Sequence, residues 1–500
     1  MIEAFGPLPR PACGERGPFP VSGSADIWEP ASAPHPEAAR NGAGSDLSPQ
    51  GGEVTGRAVN SFTTPEMTAL IFPAEPAYVL RNATGARALL AQPQSYPGDG
   101  ETVRLDLAVE RGRIVRITPA GAGEERPPVD LDGGMVWPCF TDIHTHLDKG
   151  HIWPRSPNPN GRHASALTAV AADRTAHWST ADVAARMRFG VRCAYAHGTR
   201  AVRTYIDSTS EQGEISWPVL AAMREEWEGR VALQGVSLIA IAAFRDEDGG
   251  MRLADLVAQH GGILGAAATI EPDLEFLLDR VFALAQARDL DLDFHVDETN
   301  DPQSRSLAHI ALVAIKRRFS GQVVVGHCCS LALQPATEAD RTMDLVAEAG
   351  LAVVSLPMCN LYLMDRAGDR TPRWRGVTLL HELAARGRTM AASDNCRDPF
   401  YAYGDHDALE VFTQAVRIAH LDHPVGEWAR LVTVTPAAVM GIESQIAEGS
   451  PVDLVLFRAR NYSELLSRSQ HDRTVLRGGM PIDTTTPDYR ELDPVLDADP

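Results

Sequence analysis

Residues 290–328 read LDLDFHVDETNDPQSRSLAHIALVAIKRRFSGQVVVGHC. Two short apolar runs, at 290–296 and 322–326, lie on either side of an amphipathic helical pattern at 307–319. A strand, a helix and a second strand in this order are typical of a parallel α/β fold. Each run is followed at once by polar residues, so the stretch also predicts chemistry at the carboxyl ends of its strands.

The same alternation extends over residues 136–440. Eight apolar runs are separated by longer, mostly helical patterns. The runs are MVWPCFTDIH (135–144), AVRTYID (201–207), ALQGVSLIAI (232–241), ILGAAAT (263–269), LDLDFHVDE (290–298), QVVVGHC (322–328), LAVVSLPMC (351–359) and RTMAASDN (388–395). Eight strands alternating with helices predict an α/β fold of the (β/α)8 TIM-barrel class, with its active site at the carboxyl ends of the strands.

The flanks of this region have a different pattern. Residues 75–135 and 441–490 contain short runs that alternate apolar and polar residues, broken by turn residues, as in AYVLRNAT and VDLVLFRA. This period of two is typical of antiparallel strands, and we expect both flanks to form one small β-sandwich. Residues 1–74 are rich in Pro, Gly, Ser and Ala without periodicity, which predicts a disordered extension.

Charge and cysteine content exclude several classes of protein. The 500 residues carry a formal net charge of −20, which argues against nucleic-acid and anionic membrane partners. Seven cysteines without a CxxC pair form no disulfide framework, and no secretory leader or membrane span is recognisable. We expect a cytoplasmic protein, and the sequence allows a homo-oligomer without specifying one.

Metal-binding residue types end four of the predicted barrel strands. The first run ends in an HxH pattern at His144 and His146, whose side chains point to the same side of a strand. His295, His327 and Asp394 end runs five, six and eight. Imidazoles with one carboxylate suit Zn²⁺ or Fe²⁺ better than Mg²⁺ or Ca²⁺. The pattern therefore predicts a catalytic metal site.

These segments resemble the amidohydrolase superfamily, and within it the cytosine deaminase group. The resembling segments cover the whole barrel in order: FTDIHTHLDK, FHVDETNDPQSRSL, VVVGHCCS, SLPMCNLYL, PRWRGVTLLHEL and AASDNCRDPFYAYG. The resemblance implies that the metal ligands are His144, His146, His295 and Asp394. It also implies that Glu298 shuttles protons as acid and base, and that His327 orients the substrate or the attacking water. Asp394 would accept the proton of that water.

The number and position of the lysines distinguish mononuclear from binuclear amidohydrolases. Binuclear amidohydrolases bridge two metals with a carboxylated lysine that ends strand four. The chain has only two lysines, Lys149 and Lys316, and none lies between residues 230 and 280. We therefore expect one metal ion, which activates water as hydroxide at neutral pH.

The sequence departs from true cytosine deaminases at three positions. Asn395 follows the metal aspartate where that group has a second aspartate, and Phe400 stands where it has tryptophan. Residues 237–241 offer no amide where that group presents a glutamine to the pyrimidine. A site that lacks these hydrogen bonds should turn over cytosine poorly.

Further substrate contacts are expected from the loops. Lys149 and Arg155 follow the HLDK opening, which is also similar to that of enzymes removing alkylamines from s-triazines. Asn360, just after strand seven, joins Asn395 and Phe400 as a predicted substrate-binding residue.

The favoured function is hydrolytic deamination of an amino-substituted, pyrimidine-like nitrogen heterocycle at a mononuclear metal. One alternative is an amidohydrolase that releases an amine from an N-substituted aminotriazine or opens a cyclic amide. Another is a metal-free barrel that serves as a scaffold.

Overall fold

The computed structural model describes residues 70–123 and 125–497. Its strands are β1 (Ala77–Ala86), β2 (Thr102–Glu110), β3 (Arg113–Pro119), β4 (Pro128–Asp130), β5 (Met135–Pro138), β6 (Phe140–Thr145), β7 (Thr199–Asp207), β8 (Ala232–Leu238), β9 (Leu264–Ala268), β10 (Leu292–Val296), β11 (Val323–His327), β12 (Ala352–Ser355), β13 (Thr389–Ala391), β14 (Leu454–Leu456), β15 (Thr474–Arg477) and β16 (Met480–Pro481).

Its α-helices are α1 (His163–His177), α2 (Thr180–Ala196), α3 (Ser210–Glu226), α4 (Glu247–Gln259), α5 (Leu274–Gln286), α6 (Ser306–Arg317), α7 (Ala336–Glu348), α8 (Pro357–Leu363), α9 (Leu380–Ala384), α10 (Ala408–Ala419), α11 (Val434–Val439), α12 (Tyr462–Ser467) and α13 (Asp493–Leu496). None of the helices in the described ranges is long and apolar enough to cross a membrane.

Strands β6 to β13 form a closed parallel barrel. Sheets β6-β7-β8 and β9-β10-β11-β12-β13 are each paired in chain order. Parallel bridges between Val236 and Ile263 and between Thr145 and Asp394 join the two sheets on both sides. The predicted (β/α)8 fold is confirmed. The predicted first run contains two strands, because β5 belongs to another sheet and only β6 enters the barrel.

The two flanks of the barrel contribute strands to one sheet. Its order is β16-β15-β14-β5-β1-β2-β3, and β4 also pairs with β1. The two flanks meet where β14 runs antiparallel to β5, with Val455 opposite Trp137. Trp137 is fully buried, and its ring packs edge-on against Phe412 of α10 with centroids 5.4 Å apart. This sheet is therefore anchored to the barrel through an aromatic contact.

The extension predicted over residues 1–74 lies almost wholly outside the described residues, which begin at Leu70. Leu70 and Phe72 are partly buried and pack against the apolar face of the flanking sheet.

A buried polar cluster lies inside the barrel, on β7 and β10. The Arg203 guanidinium donates to Asp293 Oδ2 at 2.9 Å, and the Tyr205 hydroxyl donates to Asp293 Oδ1 at 2.5 Å. All three residues are at most 2% exposed. The Tyr205 ring lies 4.2 Å from the ring of His144 and 4.3 Å from that of His295. This cluster therefore forms a rigid floor below the predicted metal ligands.

Candidate active site

Four predicted metal ligands converge at the carboxyl ends of three barrel strands. His144 lies in β6 and His146 directly follows it, so their side chains share the inner side of the strand. His295 comes from β10 and Asp394 from the segment after β13. One ligand atom from each of the four lies within 4.8 Å of the others. Convergence from distant parts of the chain is what a chelating site requires.

The contacts within this group are those of side chains arranged around a cation. Asp394 Oδ1 lies 3.6 Å from His144 Nε2 and 3.2 Å from His146 Nε2. The Nε2 atoms of His146 and His295 face one another at 3.2 Å. Neither ring nitrogen of His144 has a hydrogen-bond partner among the described residues. Buried polar atoms are rarely left unpaired, so these four residues fit a divalent metal ion.

The electrostatics of the group agree with this fit. Burial, together with neighbouring positive charge, lowers the pKa of His144, His146 and His295 well below the ordinary histidine value. The three rings are therefore neutral at neutral pH, which is the form that binds metals. Burial, and then the charge of Glu298, raise the pKa of Asp394. A cation among these groups would offset both effects on the carboxyl.

The backbone holds two of the predicted site residues in uncommon conformations. Asp394 has a φ of +63° and His327 a φ of +70°, both in the left-handed region that residues other than glycine rarely adopt. The Thr145 hydroxyl donates to the Asp394 carbonyl at 2.8 Å, and the Asp394 amide donates to the His144 carbonyl at 2.8 Å. These two bonds lock β6 to the end of β13 and stabilise the strained aspartate. Strain of this kind is common where function dictates geometry.

Gly326 leaves room for the ring of His144, one of the predicted metal ligands. A Cβ on Gly326 of β11 would lie 2.7 Å from Cε1 and 2.9 Å from Nδ1 of His144. Any side chain at this position would displace the imidazole, so the ring of His144 packs directly on the β11 backbone.

Glu298 lies beside the metal ligands in a network of three polar side chains. Its Oε1 is 3.3 Å from His327 Nδ1 and accepts a hydrogen bond from the Asn360 amide at 3.2 Å. Its Oε2 is 3.3 Å from His163 Nε2, at the start of α1. His327 Nδ1 is in turn 3.9 Å from Asp394 Oδ2. The network fixes Glu298 next to the metal group.

The pKa of Glu298 is lowered, whereas the pKa of His163 is raised. Burial raises the pKa of Glu298, but its interaction with His327 and the hydrogen bond and charge of His163 outweigh burial and hold the pKa below the usual glutamate value. Burial lowers the pKa of His163, but its hydrogen bond to Glu298 outweighs burial and raises it. Glu298 is therefore a carboxylate at neutral pH and can accept a proton.

The neighbouring Asp297, rather than Glu298, serves the helix that follows. Asp297 Oδ1 accepts from the Ser306 amide at 2.9 Å, and Oδ2 accepts from the Leu307 amide at 3.1 Å, so it caps the start of α6. The Glu298 carboxylate is therefore not used as a helix cap, and it lines the cavity.

A cavity of about 560 Å³ opens directly above these side chains. Its polar wall includes His146, His295, Glu298 and His327. Its apolar wall includes residues 238–240 after β8 and 267–268 at the end of β9. The volume is in the range of small-molecule sites, and the mixture of an apolar wall with a few convergent polar groups is typical of them.

Comparison with known proteins identifies the family. The family model described as "Amidohydrolase family" matches residues 188–479. The chain belongs to this family. This amidohydrolase is 51% identical to the pterin deaminase of Rhizobium rhizogenes over 425 residues, which cover 84% of the chain and 97% of that protein. It is also 25% identical to N-isopropylammelide isopropyl amidohydrolase of a Pseudomonas species. This match extends over 377 residues, which cover 73% of the chain and 90% of that protein.

The solved structures show the same fold. The 5-methylcytosine deaminase of Klebsiella pneumoniae matches with a TM-score of 0.69 and 23% identity, over 81% of this chain and 97% of that one. The family match and the 51% identity confirm the prediction of a deaminase-like amidohydrolase, a hydrolase that acts on C–N bonds.

The amidohydrolase brings three of the five predicted substrate contacts to the cavity. Lys149, Asn395 and Phe400 line it, and Lys149 Nζ lies 5.4 Å from the centre of the Phe400 ring. The Asn395 amide donates to Asp398 Oδ2 at 2.7 Å, which fixes its orientation.

The other two predicted substrate contacts, Arg155 and Asn360, lie elsewhere. Arg155 points away from the cavity and binds Asp173 at 2.8 Å and Asp182 at 2.6 Å, because two buried carboxylates of α1 and α2 require a cation. Asn360 is fully buried and does not line the cavity. Its amide instead holds Glu298 and lies 3.0 Å from His327 Nδ1, so it positions these two groups.

Sequence reasoning missed several site residues. His163 contacts Glu298 from the start of α1, far from any strand end. Arg174 and Asp207 line the cavity as an ion pair with a separation of 2.9 Å. Asp207 ends β7, so the rule that polar strand ends line the site would have found it. His163 has no comparable signal in the sequence.

Proposed function

We propose that this amidohydrolase is a metal-dependent hydrolytic deaminase of pterins. The similarity over nearly the whole length of a pterin deaminase carries the choice of substrate. A pterin is an aminopyrimidinone fused to a second ring, so it belongs to the predicted class of amino-substituted heterocycles. Hydrolysis replaces its amino group with oxygen from water and releases ammonia.

His144, His146, His295 and Asp394 would hold one divalent ion, Zn²⁺ or Fe²⁺. When bound, such an ion supplies Lewis-acid activation of water at neutral pH. The absence of lysine from β9 supports a single ion, since no side chain of this strand can form the bridge found in binuclear relatives.

Asp394 and Glu298 would move the protons of the reaction. The Asp394 carboxylate lies among the ligands, where it can accept a proton from the attacking water. Glu298 begins as a carboxylate, takes up a proton within the site and delivers it to a ring nitrogen. This makes the attacked carbon more electrophilic, and the same group later helps the amine to leave as ammonia. His327 and Asn360 keep Glu298 in place through contacts of 3.3 and 3.2 Å.

The cavity offers surfaces that suit a flat fused ring. Phe400 and the apolar residues 238–240 provide surfaces for a flat bicyclic ring. Lys149 and Asn395 offer polar groups toward ring oxygens and nitrogens. No amide side chain stands at residues 238–240, which supports poor turnover of cytosine.

The localisation prediction has some support within the described ranges. Six cysteines are described, and all are buried and free of disulfides, as expected in a reducing compartment such as the cytoplasm.

A substrate panel tests the proposal. Ammonia release is measured from pterin, cytosine and creatinine, and isopropylamine release from N-isopropylammelide, with the Zn²⁺- and the Fe²⁺-loaded protein. We expect pterin to have the highest kcat/KM. Faster turnover of N-isopropylammelide would favour the aminotriazine alternative, and efficient turnover of cytosine would contradict the substrate assignment.

A further inference from the structure

A second group of metal-binding side chains lies outside the active site. His151 follows β6, and Cys396 and His406 lie between β13 and α10. One ligand atom from each lies within 4.8 Å of the other two, and we name this group the His151–Cys396–His406 cluster. The three residues are 1%, 1% and 3% exposed. The cluster is therefore buried.

Its imidazoles lack partners. Neither ring nitrogen of His151, nor Nε2 of His406, has a hydrogen-bond partner among the described residues. His406 Nδ1 has only a long contact of 3.5 Å with the Thr145 hydroxyl. Two buried imidazoles with three unpaired nitrogens, each ring having one nitrogen within 4.8 Å of a buried thiol, are an uncommon arrangement unless a further group satisfies them.

The surrounding chain is shaped to hold these rings together. His151 and His406 both have positive φ values, +66° and +54°. A Cβ on Gly190 of α2 would lie 2.9 Å from His406 Nε2, so only glycine leaves room for this nitrogen. Strained backbone and a glycine at the contact both favour the present ring positions.

We propose that the His151–Cys396–His406 cluster is a second metal site, which binds Zn²⁺ or another borderline-soft transition metal ion. Two imidazoles and one thiolate are donors that Zn²⁺ prefers, and three protein ligands leave one coordination position. The cysteine binds as the thiolate, with its proton released to solvent. The proposal is independent of the substrate.

The catalytic cluster provides an internal comparison. It has the same signature of buried donors, unpaired nitrogens and ligand atoms within 4.8 Å. The described residues contain one other such group, Glu298, Cys359 and Asp394, which overlaps the active site. The His151–Cys396–His406 cluster is thus separate from the site already described.

A metal ion in this cluster would join two active-site loops. The His151 amide donates to the Cys396 carbonyl at 2.9 Å, and the Trp153 amide donates to the Arg397 carbonyl at 2.8 Å. These loops also carry Lys149, Asn395 and Phe400, which line the cavity. The second ion would therefore be structural and would stabilise the substrate-binding loops.

Metal counting and spectroscopy test the proposal on the full chain. The purified protein is stripped with a chelator, reloaded with Zn²⁺, freed of excess ion and analysed for metal per chain. We expect two equivalents in the wild type and one in Cys396→Ser. The Co²⁺-loaded wild type should show a thiolate-to-cobalt charge-transfer band that Cys396→Ser loses.

Cys359→Ser is the matched control, since Cys359 is also a buried thiol and lies beside Asp394. It should keep the band. A single equivalent in the fully loaded wild type would overturn the proposal, and this count does not require any variant to fold. A band that survives in Cys396→Ser but is lost in Cys359→Ser would also overturn it.

Discussion

At the residue scale, the site depends on a few side chains whose surroundings set their protonation. The three histidines that we propose as metal ligands are neutral because they are buried, and Glu298 stays ionised because its interactions with His327 and His163 outweigh its burial. Each group thus has the form that its role requires before a substrate binds. Three predictions belong to this scale.

Replacing Glu298 with Gln keeps the shape of the side chain but removes its proton transfer. We expect kcat to fall by about 10²–10⁴-fold, because general acid–base catalysis contributes an amount of this order. Metal content should stay at the wild-type value, since Glu298 is not among the four proposed ligands. A variant that keeps more than about a tenth of wild-type kcat would show that another group carries the proton.

Replacing His163 with Gln should change the pH profile of kcat/KM. His163 helps to hold the pKa of Glu298 below its usual value, so its loss lets that pKa rise. Because the reaction needs the carboxylate, the acid limb of the profile should move to higher pH. His309→Gln, which alters a half-buried histidine 3.4 Å from Glu275 on the outer helices, is the control and should leave the profile unchanged. An unmoved acid limb in His163→Gln would contradict the electrostatic account of Glu298.

Replacing Gly326 with Ala should weaken metal binding. The added methyl group would lie 2.7 Å from His144 and push the ring out of place. We expect metal affinity to fall by about 10–100-fold, as for other groups that orient a ligand. Gly387→Ala, where nothing lies within 4 Å, is the matched control in a competition with a chelating dye. Equal affinities for the two variants would show that His144 tolerates the shift.

At the element scale, five of the barrel strands, β6, β7, β10, β11 and β13, both close the barrel and end at or near a polar residue of the candidate site. The alternating apolar runs are local signals, so the eight barrel strands could be predicted from the sequence. The boundary between β5 and β6 could not, because it depends on which sheet each half of the run pairs with. The contact of Arg203 and Tyr205 on β7 with Asp293 on β10 is also non-local. The sequence of neither strand indicates this contact, so it could not be predicted.

The polar floor of the barrel gives a prediction for stability. Asp293→Ala leaves the Arg203 charge buried without its partner, and removal of one member of a buried pair costs about 3–5 kcal/mol. We expect a loss of this order in the free energy of unfolding, measured with urea. Asp340→Ala removes a 58% exposed carboxylate bound to Arg386 and should cost at most about 1 kcal/mol. Similar losses for both variants would show that the floor is not a buried ion pair in solution.

At the scale of the whole molecule, the barrel brings together residues that are 250 positions apart in the chain, such as His144 and Asp394. The residue types at the strand ends sufficed to predict this grouping, since parallel strands end at one edge. Lys149, Asn395 and Phe400 were predicted to reach the cavity, and they do line it. Arg155 was misplaced because its partners, Asp173 and Asp182, lie on two helices whose packing the sequence does not reveal.

The central claim is that one metal-dependent site deaminates a pterin. Its most direct test follows ammonia release from pterin by the protein before chelation, after removal of the metal, and after reloading with Zn²⁺ or Fe²⁺. We predict that activity is lost with the metal and returns with one of the two ions. Undiminished ammonia release by the metal-free protein, or none from the fully loaded protein, would contradict it.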